Sequence, residues 1–343
     1  MKKLRVVQIG TEHDHASDTL RSLLRLSDRF EVVGYVMPED DTSCVYEKKA
    51  KYYRSIPRLT LEQALSDRSV DAATVETSDR LLTRYAQLAL DAGLHVEMDK
   101  PGGTDQAEFE RMVDTAGEKG LALQLGYMYR FNPAILELYD RVARGELGEI
   151  LYVNAEMNCW HPAAKREWLR DYPGGMMYYL GCHLIDLIYR LQGEPLEVVP
   201  MHASSDLDGV RSCDVAFTVL RYPHGASFAR ATAVECGGFD RRQIVVVGSK
   251  GTVEIRPTES VCPPEERPAD HPECDLRTDL RICRDTADWH APCRTRTVGP
   301  YNRYDAMLCS FAAIARGEKA NPYTPEYEKN LHRLVLAAGG HPG

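Results

Sequence analysis

No stretch of the 343-residue chain approaches the run of about 18 apolar residues that a membrane-crossing helix needs. Positive charge is also short. With 42 lysines and arginines against 51 aspartates and glutamates, the formal charge is -9, so no broad basic surface is offered to nucleic-acid phosphates or anionic lipid. The opening MKKLRVVQIG has no extended apolar core and no small-residue cleavage pattern, because Arg5 and Gln8 interrupt it. It reads as the first strand of a soluble, cytoplasmic protein. Clustered cysteine is missing too: the ten cysteines are scattered and several sit in apolar contexts (Cys182, Cys213, Cys309). Reduced thiols in a reducing compartment are the expectation. No internal repeat is found.

What is present is a rhythm. Apolar runs at 4–9, 31–37, 70–76, 94–98 and 121–125 read as strands, with helical patterns near 16–26, 60–66, 79–92 and 104–119 between them. Strands alternating with helices predict a parallel, doubly wound sheet. After Gly126 the pattern changes. A helix at about 133–144 leads to a strand at 149–157, an aromatic-rich loop and another helix. Strands near 196–203, 213–222, 226–235, 242–248 and 252–256 follow, with turns at Pro223-His224-Gly225 and Ser249-Lys250-Gly251. Strands without helices between them predict a mostly antiparallel sheet. Residues 257–300 show no period and read as a long excursion, and helices at about 303–316 and 325–338 close the chain. The expected fold class is α/β, with domains at 1–126 and 127–343.

Four stretches carry candidate chemistry. The first strand ends in Gly10, and the turn after it reads Gly10-Thr11-Glu12-His13-Asp14-His15-Ala16. A dinucleotide turn expects G-x-G-x-x-G. Only the first glycine is present, and a carboxylate at Glu12 would crowd a pyrophosphate unless it swings away. The helix start still offers N–H groups, with His13 and His15 as further donors. A plain strand-to-helix turn remains equally open at this point. The second strand ends in Met37, where a ribose-binding acid is expected, and Glu39 and Asp40 follow. No arginine adjoins it in sequence, which favours NAD over NADP. Asp99-Lys100-Pro101 closes the fifth predicted strand, where a side chain points into the ligand crevice of a parallel sheet.

The fourth stretch is GGMMYYLGCHLIDLIYRLQG, 174–193. Tyr179, His183, Asp186 and Arg190 fall within an arc of about 60° on an otherwise apolar helix. The loop ahead of it gathers Trp160, His161, Lys165, Arg166, Trp168 and Tyr172, suited to a sugar's C–H face and an attached anion, or equally to a subunit contact. His271-x-x-Cys274 and His290-x-x-Cys293 hold enough soft ligands for zinc, but the spacing matches no familiar module, and no metal is expected.

The ordered set of Asp99-Lys100-Pro101, Gly126-Tyr127-Met128-Tyr129-Arg130-Phe131-Asn132-Pro133, Gly145-Glu146-Leu147-Gly148-Glu149-Ile150, the Gly-Cys-His-Leu-Ile-Asp helix start at 181–186 and Gly248-Ser249-Lys250-Gly251 resembles the glucose-fructose oxidoreductase, inositol dehydrogenase and rhizopine-catabolism (Gfo/Idh/MocA) family. The resemblance implies an N-terminal Rossmann domain, a C-terminal α/β domain with an open antiparallel sheet, and NAD(P)-dependent oxidation or reduction at a sugar, cyclitol or polyol carbon. It places the family's lysine on Lys100 and its histidine on His183, with Tyr179 where an acid is usual, and Asp186 retained after the histidine. His183 then takes the hydroxyl proton, Lys100 steadies the alkoxide, Asp186 orients the imidazole or instead pairs with Arg190 one turn on, and Tyr179 relays a proton or binds substrate. The nucleotide falls to Gly10, Thr11, Glu12, His13, Met37, Thr77, Asp99 and Lys100. Tyr127, Arg130, Trp160, Lys165 and Trp168 fall to the substrate, with Arg130 equally open as a structural partner for a carboxylate. A homodimer or homotetramer is implied. Two alternatives stay open: a ligand-binding or regulatory relative with a degenerate cofactor site, and a redox-neutral enzyme that cleaves a glycosidic bond with tightly held NAD.

Overall fold

The computed structural model describes residues 2–41, 50–284 and 289–341. The chain divides into two compact units, Met1–Met128 with Tyr304–His332, and Tyr129–Arg303 with Arg333–Gly343.

In the first unit, strands β1 (Leu4–Ile9), β2 (Phe30–Val36), β3 (Arg58–Leu59), β4 (Ala72–Val75), β5 (His95–Met98) and β6 (Leu123–Leu125) form one sheet in the order β3-β2-β1-β4-β5-β6. Every pairing is parallel. β1 and β4 are buried along nearly their whole length, as strands covered on both faces must be. This explains why they read as mostly apolar stretches and not as strict alternations. Helices α1 (Ala16–Arg25), α2 (Leu61–Ser66), α3 (Leu82–Asp91) and α4 (Gln106–Glu118) join them. Thr60 starts α2 with a capping box, its hydroxyl accepting from the Gln63 N–H while the Gln63 side chain accepts from the Thr60 N–H.

The expected boundary at 126/127 leaves out a return of the chain. Helix α8 (Asp305–Ala315) and the first part of α9 (Pro325–Ala338) belong with the first unit. Gln124 donates to the Met307 carbonyl at 3.0 Å, Asn321 to the Leu123 carbonyl at 3.0 Å and Arg316 to the Arg29 carbonyl at 2.9 Å. These partners lie between 183 and 287 positions apart, so local patterns carry no trace of them.

The second unit contains α5 (Pro133–Ala143), β7 (Ile150–Asn158), α6 (Ala163–Trp168), α7 (Cys182–Gln192) and strands β8 (Glu197–Pro200), β9 (Val215–Tyr222), β10 (Gly225–Thr232), β11 (Gln243–Gly248) and β12 (Gly251–Ile255). β13 (Ser260–Val261), β14 (Leu276–Arg284) and β15 (Cys293–Tyr301) complete it. The sheet runs β13-β14-β12-β11-β7-β10-β9-β8, with β15 also paired to β14. Only β7 and β10 pair in parallel among the described residues, and the rest is antiparallel.

Two expectations fail here. The excursion at 257–300 contains two nine-residue strands. Inward positions of β14 include Thr278, whose hydroxyl donates to the Thr258 carbonyl at 2.6 Å. A polar side chain satisfied in the interior therefore broke the apolar alternation. The thiols are also not all reduced: Cys283 and Cys293 stand opposite each other in the β14–β15 ladder and are joined as a disulfide. Cys44 lies outside the described residues.

Candidate active site

The first cluster sits where β1 gives way to α1. Gly10 has φ +93°, and a Cβ there would lie 2.5 Å from the Thr77 nitrogen and 2.6 Å from the Glu76 carbonyl carbon. Only glycine lets β1 end this close to β4. The next turn folds inward. The N–H groups of Glu12 and His13 donate to the Glu76 carbonyl at 3.2 and 3.0 Å, and that of Ala16 to the His13 carbonyl at 3.0 Å. Backbone donors that a glycine-rich turn would present to a pyrophosphate are thus used within the protein. Thr11, Glu12, His13 and Thr77 are buried.

Side chains converge on Asp99, just past β5. Its Oδ2 lies 2.9 Å from Nδ1 of His13 and 3.0 Å from Nδ1 of His15. Glu76 Oε2 stands 3.8 Å from His13 Nδ1, and Asp79 Oδ1 3.9 Å from His13 Nε2. Burial would raise the Asp99 carboxyl, but the two histidines beside it hold it well below the usual range. Burial, reinforced by Asp99, pushes Glu76 and Glu97 well above theirs. Burial also lowers His15, against the opposing pull of Asp99. Sequence reasoning placed His13, His15 and Asp99 near the nucleotide but missed Glu76 and Asp79. A carboxylate directly after a buried parallel strand was the available signal.

Lys100 is 1% exposed, and its backbone N–H donates to Asp99 Oδ1 at 2.7 Å. Lys100 also acts on His15 as a like charge. Gly126 packs against Asp99, since a Cβ there would lie 2.9 Å from the Asp99 Cα. Tyr127, the next residue, is buried.

At the end of β2, Met37, Glu39, Asp40, Arg58, Arg84 and Tyr85 line a cavity of about 640 Å³. Asp40 accepts from the Tyr85 hydroxyl at 2.5 Å and from Arg84 at 2.6 Å. The hydrogen bond from Tyr85, then the charge of Arg84, lowers the Asp40 carboxyl. The argument that no arginine adjoins this strand end therefore holds in sequence and fails in space: β3 and α3 bring Arg58 and Arg84 to it. A cavity with an acid at the tip of the second strand fits the adenosine end of a dinucleotide. Fit at the pyrophosphate turn is poorer, for the reasons above.

The second unit holds the helix. Residues 177–181 form a π turn ahead of α7, a feature frequent at functional sites. The 100° step does not carry across it, so Tyr179 is displaced from the line that His183, Asp186 and Arg190 continue. A Cβ on Gly181 would lie 2.5 Å from the Met177 sulfur, so this glycine makes room for Met177. His183 is buried, with the Tyr129 ring edge-on at 4.9 Å. The Tyr129 hydroxyl donates to Glu259 at 2.5 Å, and Arg242 and Arg303 donate to the same carboxylate at 3.1 and 2.7 Å. This network was absent from the sequence reading, because its members come from four distant segments.

Both carboxylate oxygens of Asp186 accept from Arg130, and both side chains are buried. Arg190 lies over the Tyr139 ring at 5.9 Å. Lys165 Nζ is 3.6 Å from the centre of Trp168 and 4.3 Å from that of Tyr179, an ammonium held by two aromatic faces. Trp160 is half exposed, and its backbone bridges to Val234. The zinc spacing does not assemble: Cys293 is in the disulfide, while His271 faces Glu273 and Asp270.

A six-stranded parallel sheet in this order, with a buried lysine past its fifth strand, defines a Rossmann-type oxidoreductase domain joined to a mixed-sheet domain. Residues 4–127 match the family described as "Oxidoreductase family, NAD-binding Rossmann fold", and residues 135–254 match the GFO/IDH/MocA C-terminal domain. The chain belongs to the GFO/IDH/MocA family. It is 27% identical over 266 residues to trans-1,2-dihydrobenzene-1,2-diol dehydrogenase of Bos taurus, covering 73% of this chain and 76% of the relative. The fold is shared with aldose-aldose oxidoreductase from Caulobacter crescentus, solved with glycerol (TM-score 0.76, 21% identity, 98% and 96% of the two chains). It is also shared with KijD10, a 3-ketoreductase from Actinomadura kijaniata solved with NADP and TDP-benzene (TM-score 0.77, 19% identity, 98% and 97%). Among the described residues, no helix is long and apolar enough to cross a membrane.

Proposed function

We propose that the protein transfers hydride between a nicotinamide dinucleotide and a hydroxyl-bearing carbon of a sugar, cyclitol or related cyclic polyol. The observation that carries this reading is Lys100, a buried lysine directly after the fifth strand of a parallel sheet, in a family of nicotinamide-dependent oxidoreductases. When bound, the nicotinamide supplies the hydride acceptor or donor. Lys100 then acts as a fixed positive charge that favours the alkoxide. His183 accepts the hydroxyl proton on oxidation and returns it on reduction. Lys165, Trp168 and Tyr179 supply aromatic faces and a cation for ring and anion recognition. Asp186, with both oxygens engaged by Arg130, acts on His183 as a positioning residue.

NAD(H) is the proposed cofactor, with the Asp40 carboxylate facing the ribose hydroxyls. One observation favours a second reading, a relative that binds ligand without turnover: the turn after β1 uses its N–H groups on the Glu76 carbonyl. Titration with NAD(H) and NADP(H) by tryptophan quenching, followed by a screen of sugars and inositols at about 340 nm, the absorbance of reduced nicotinamide, separates the two. Turnover with any member of the panel supports the oxidoreductase. Binding of nucleotide with no turnover across the panel supports the second reading.

A further inference from the structure

We infer that His13, His15 and Asp99, completed by Glu76, form a binding site for one divalent first-row transition ion, with zinc the best match. One imidazole nitrogen from each of His13 and His15 and one carboxylate oxygen of Asp99 lie within 4.8 Å of one another. Their shorter separations, 2.9 and 3.0 Å onto a single Asp99 oxygen, need to open by only about half an ångström to admit an ion at ordinary zinc distances. Two imidazoles with carboxylates are borderline ligands that suit zinc, iron, cobalt or nickel better than magnesium or calcium.

The second observation is Glu76. It is fully buried, and among the described residues neither carboxylate oxygen lies within ordinary hydrogen-bond length of a partner, although Thr19 and Asp99 stand near it and Oε2 faces His13 Nδ1 at 3.8 Å. Burial and Asp99 favour the protonated form of Glu76, and a cation between it and Asp99 would take the place of that proton. On the far side of the ring, the Asp79 carboxylate stands 3.9 Å from His13 Nε2, where an outer carboxylate commonly orients a metal-bound histidine. Against the ion stand Lys100, which bears on His15 as a like charge, and the positive end of α1. Asp99 and Asp79, with a Glu76 that gives up its proton as the ion binds, outweigh them. The inference does not rest on nucleotide binding, although the same turn is the expected pyrophosphate position.

The test uses the full chain treated with EDTA, without nucleotide, titrated with zinc chloride by calorimetry and with cobalt chloride by visible absorption. One equivalent of zinc bound in the low micromolar range or tighter, with cobalt d–d bands, is expected. His15→Gln, at a partly exposed position, should weaken zinc binding by at least about a hundredfold with an unchanged circular dichroism spectrum. Glu76→Gln supplies the same reading should His15→Gln fail to fold. His271→Ala, which removes an exposed histidine elsewhere, should leave binding unchanged. Zinc that a chelator strips at once, or His15→Gln and Glu76→Gln proteins that bind as tightly as the parent, would overturn the site. Because no nucleotide is present, that failure leaves the oxidoreductase reading untouched, and absence of NAD(P) binding leaves this one untouched.

Discussion

Arg130 grips Asp186 through Nε at 2.9 Å and Nη2 at 2.8 Å, with both side chains buried. Such a pair adds little stability over an apolar replacement, but losing one member strands the other charge. Asp186→Ala should therefore lower unfolding free energy by about 3–5 kcal/mol, read as a shift of the urea midpoint. The double change Arg130→Met with Asp186→Leu should cost clearly less. Equal losses in the two would show that the charge pair is not the cause.

Lys100→Met keeps the length of the side chain and removes its charge. Turnover should fall by at least about a hundredfold, because the ammonium is proposed to act on the developing alkoxide. Nucleotide affinity should stay within about tenfold. A Lys100→Met enzyme with parental turnover would remove Lys100 from the chemistry.

Cofactor choice should turn on Asp40. Asp40→Ser removes the negative charge from the cavity at the end of β2 and frees Arg84, which now pairs with it. The NADP-to-NAD affinity ratio should rise by about tenfold or more, since one favourable ion pair to a phosphate is worth a factor of that order. Fluorescence titration of both nucleotides measures it, and an unchanged ratio would place the ribose elsewhere.

Two histidines should make stability fall in mild acid. His95 Nδ1 accepts from the Ala122 N–H at 2.9 Å, and His202 Nδ1 accepts from the Phe217 N–H at 3.3 Å while its Nε2 donates to the Ala338 carbonyl. Both rings are thus held neutral, and burial lowers each below the ordinary value of 6.5. Below that value the unfolded chain takes protons that the folded chain refuses. Their contribution is therefore present in full above about pH 6.5 and is lost as pH falls, by up to about 1.4 kcal/mol per pH unit for each ring. His95→Asn, whose amide oxygen replaces Nδ1 as acceptor, should flatten the melting-temperature profile between about pH 7 and pH 5. A profile as steep as the parent's would exclude His95 as a contributor.

Much of the architecture was legible because local chemistry and tertiary position agree. β4 is an apolar run of strand length and β1 is one interrupted by Arg5 and Gln8, and each is buried between strands of the same sheet. β14 was not legible, because Arg277, Asp279 and Arg281 alternate with Leu276, a hydrogen-bonded Thr278 and Leu280. In the first unit Lys100 stood out at the exit of a predicted strand, and in the second His183 stood out as a polar residue on an otherwise apolar helix. Glu76, Tyr129, Glu259, Arg242 and Arg303 did not, since each looks ordinary beside its sequence neighbours.

By itself the sequence determined most of the strands and helices outside residues 257–300, the alternation that makes the first sheet parallel and the second mostly antiparallel, and the family, because burial periodicity and short turn motifs are encoded within a few residues. Only tertiary structure decided which charges meet: that Arg84 reaches Asp40, that Arg130 takes Asp186, and that two histidines share one oxygen of Asp99. Electrostatic energy depends on distances through space, and chain folding sets those distances between residues whose separation in sequence carries no information about them.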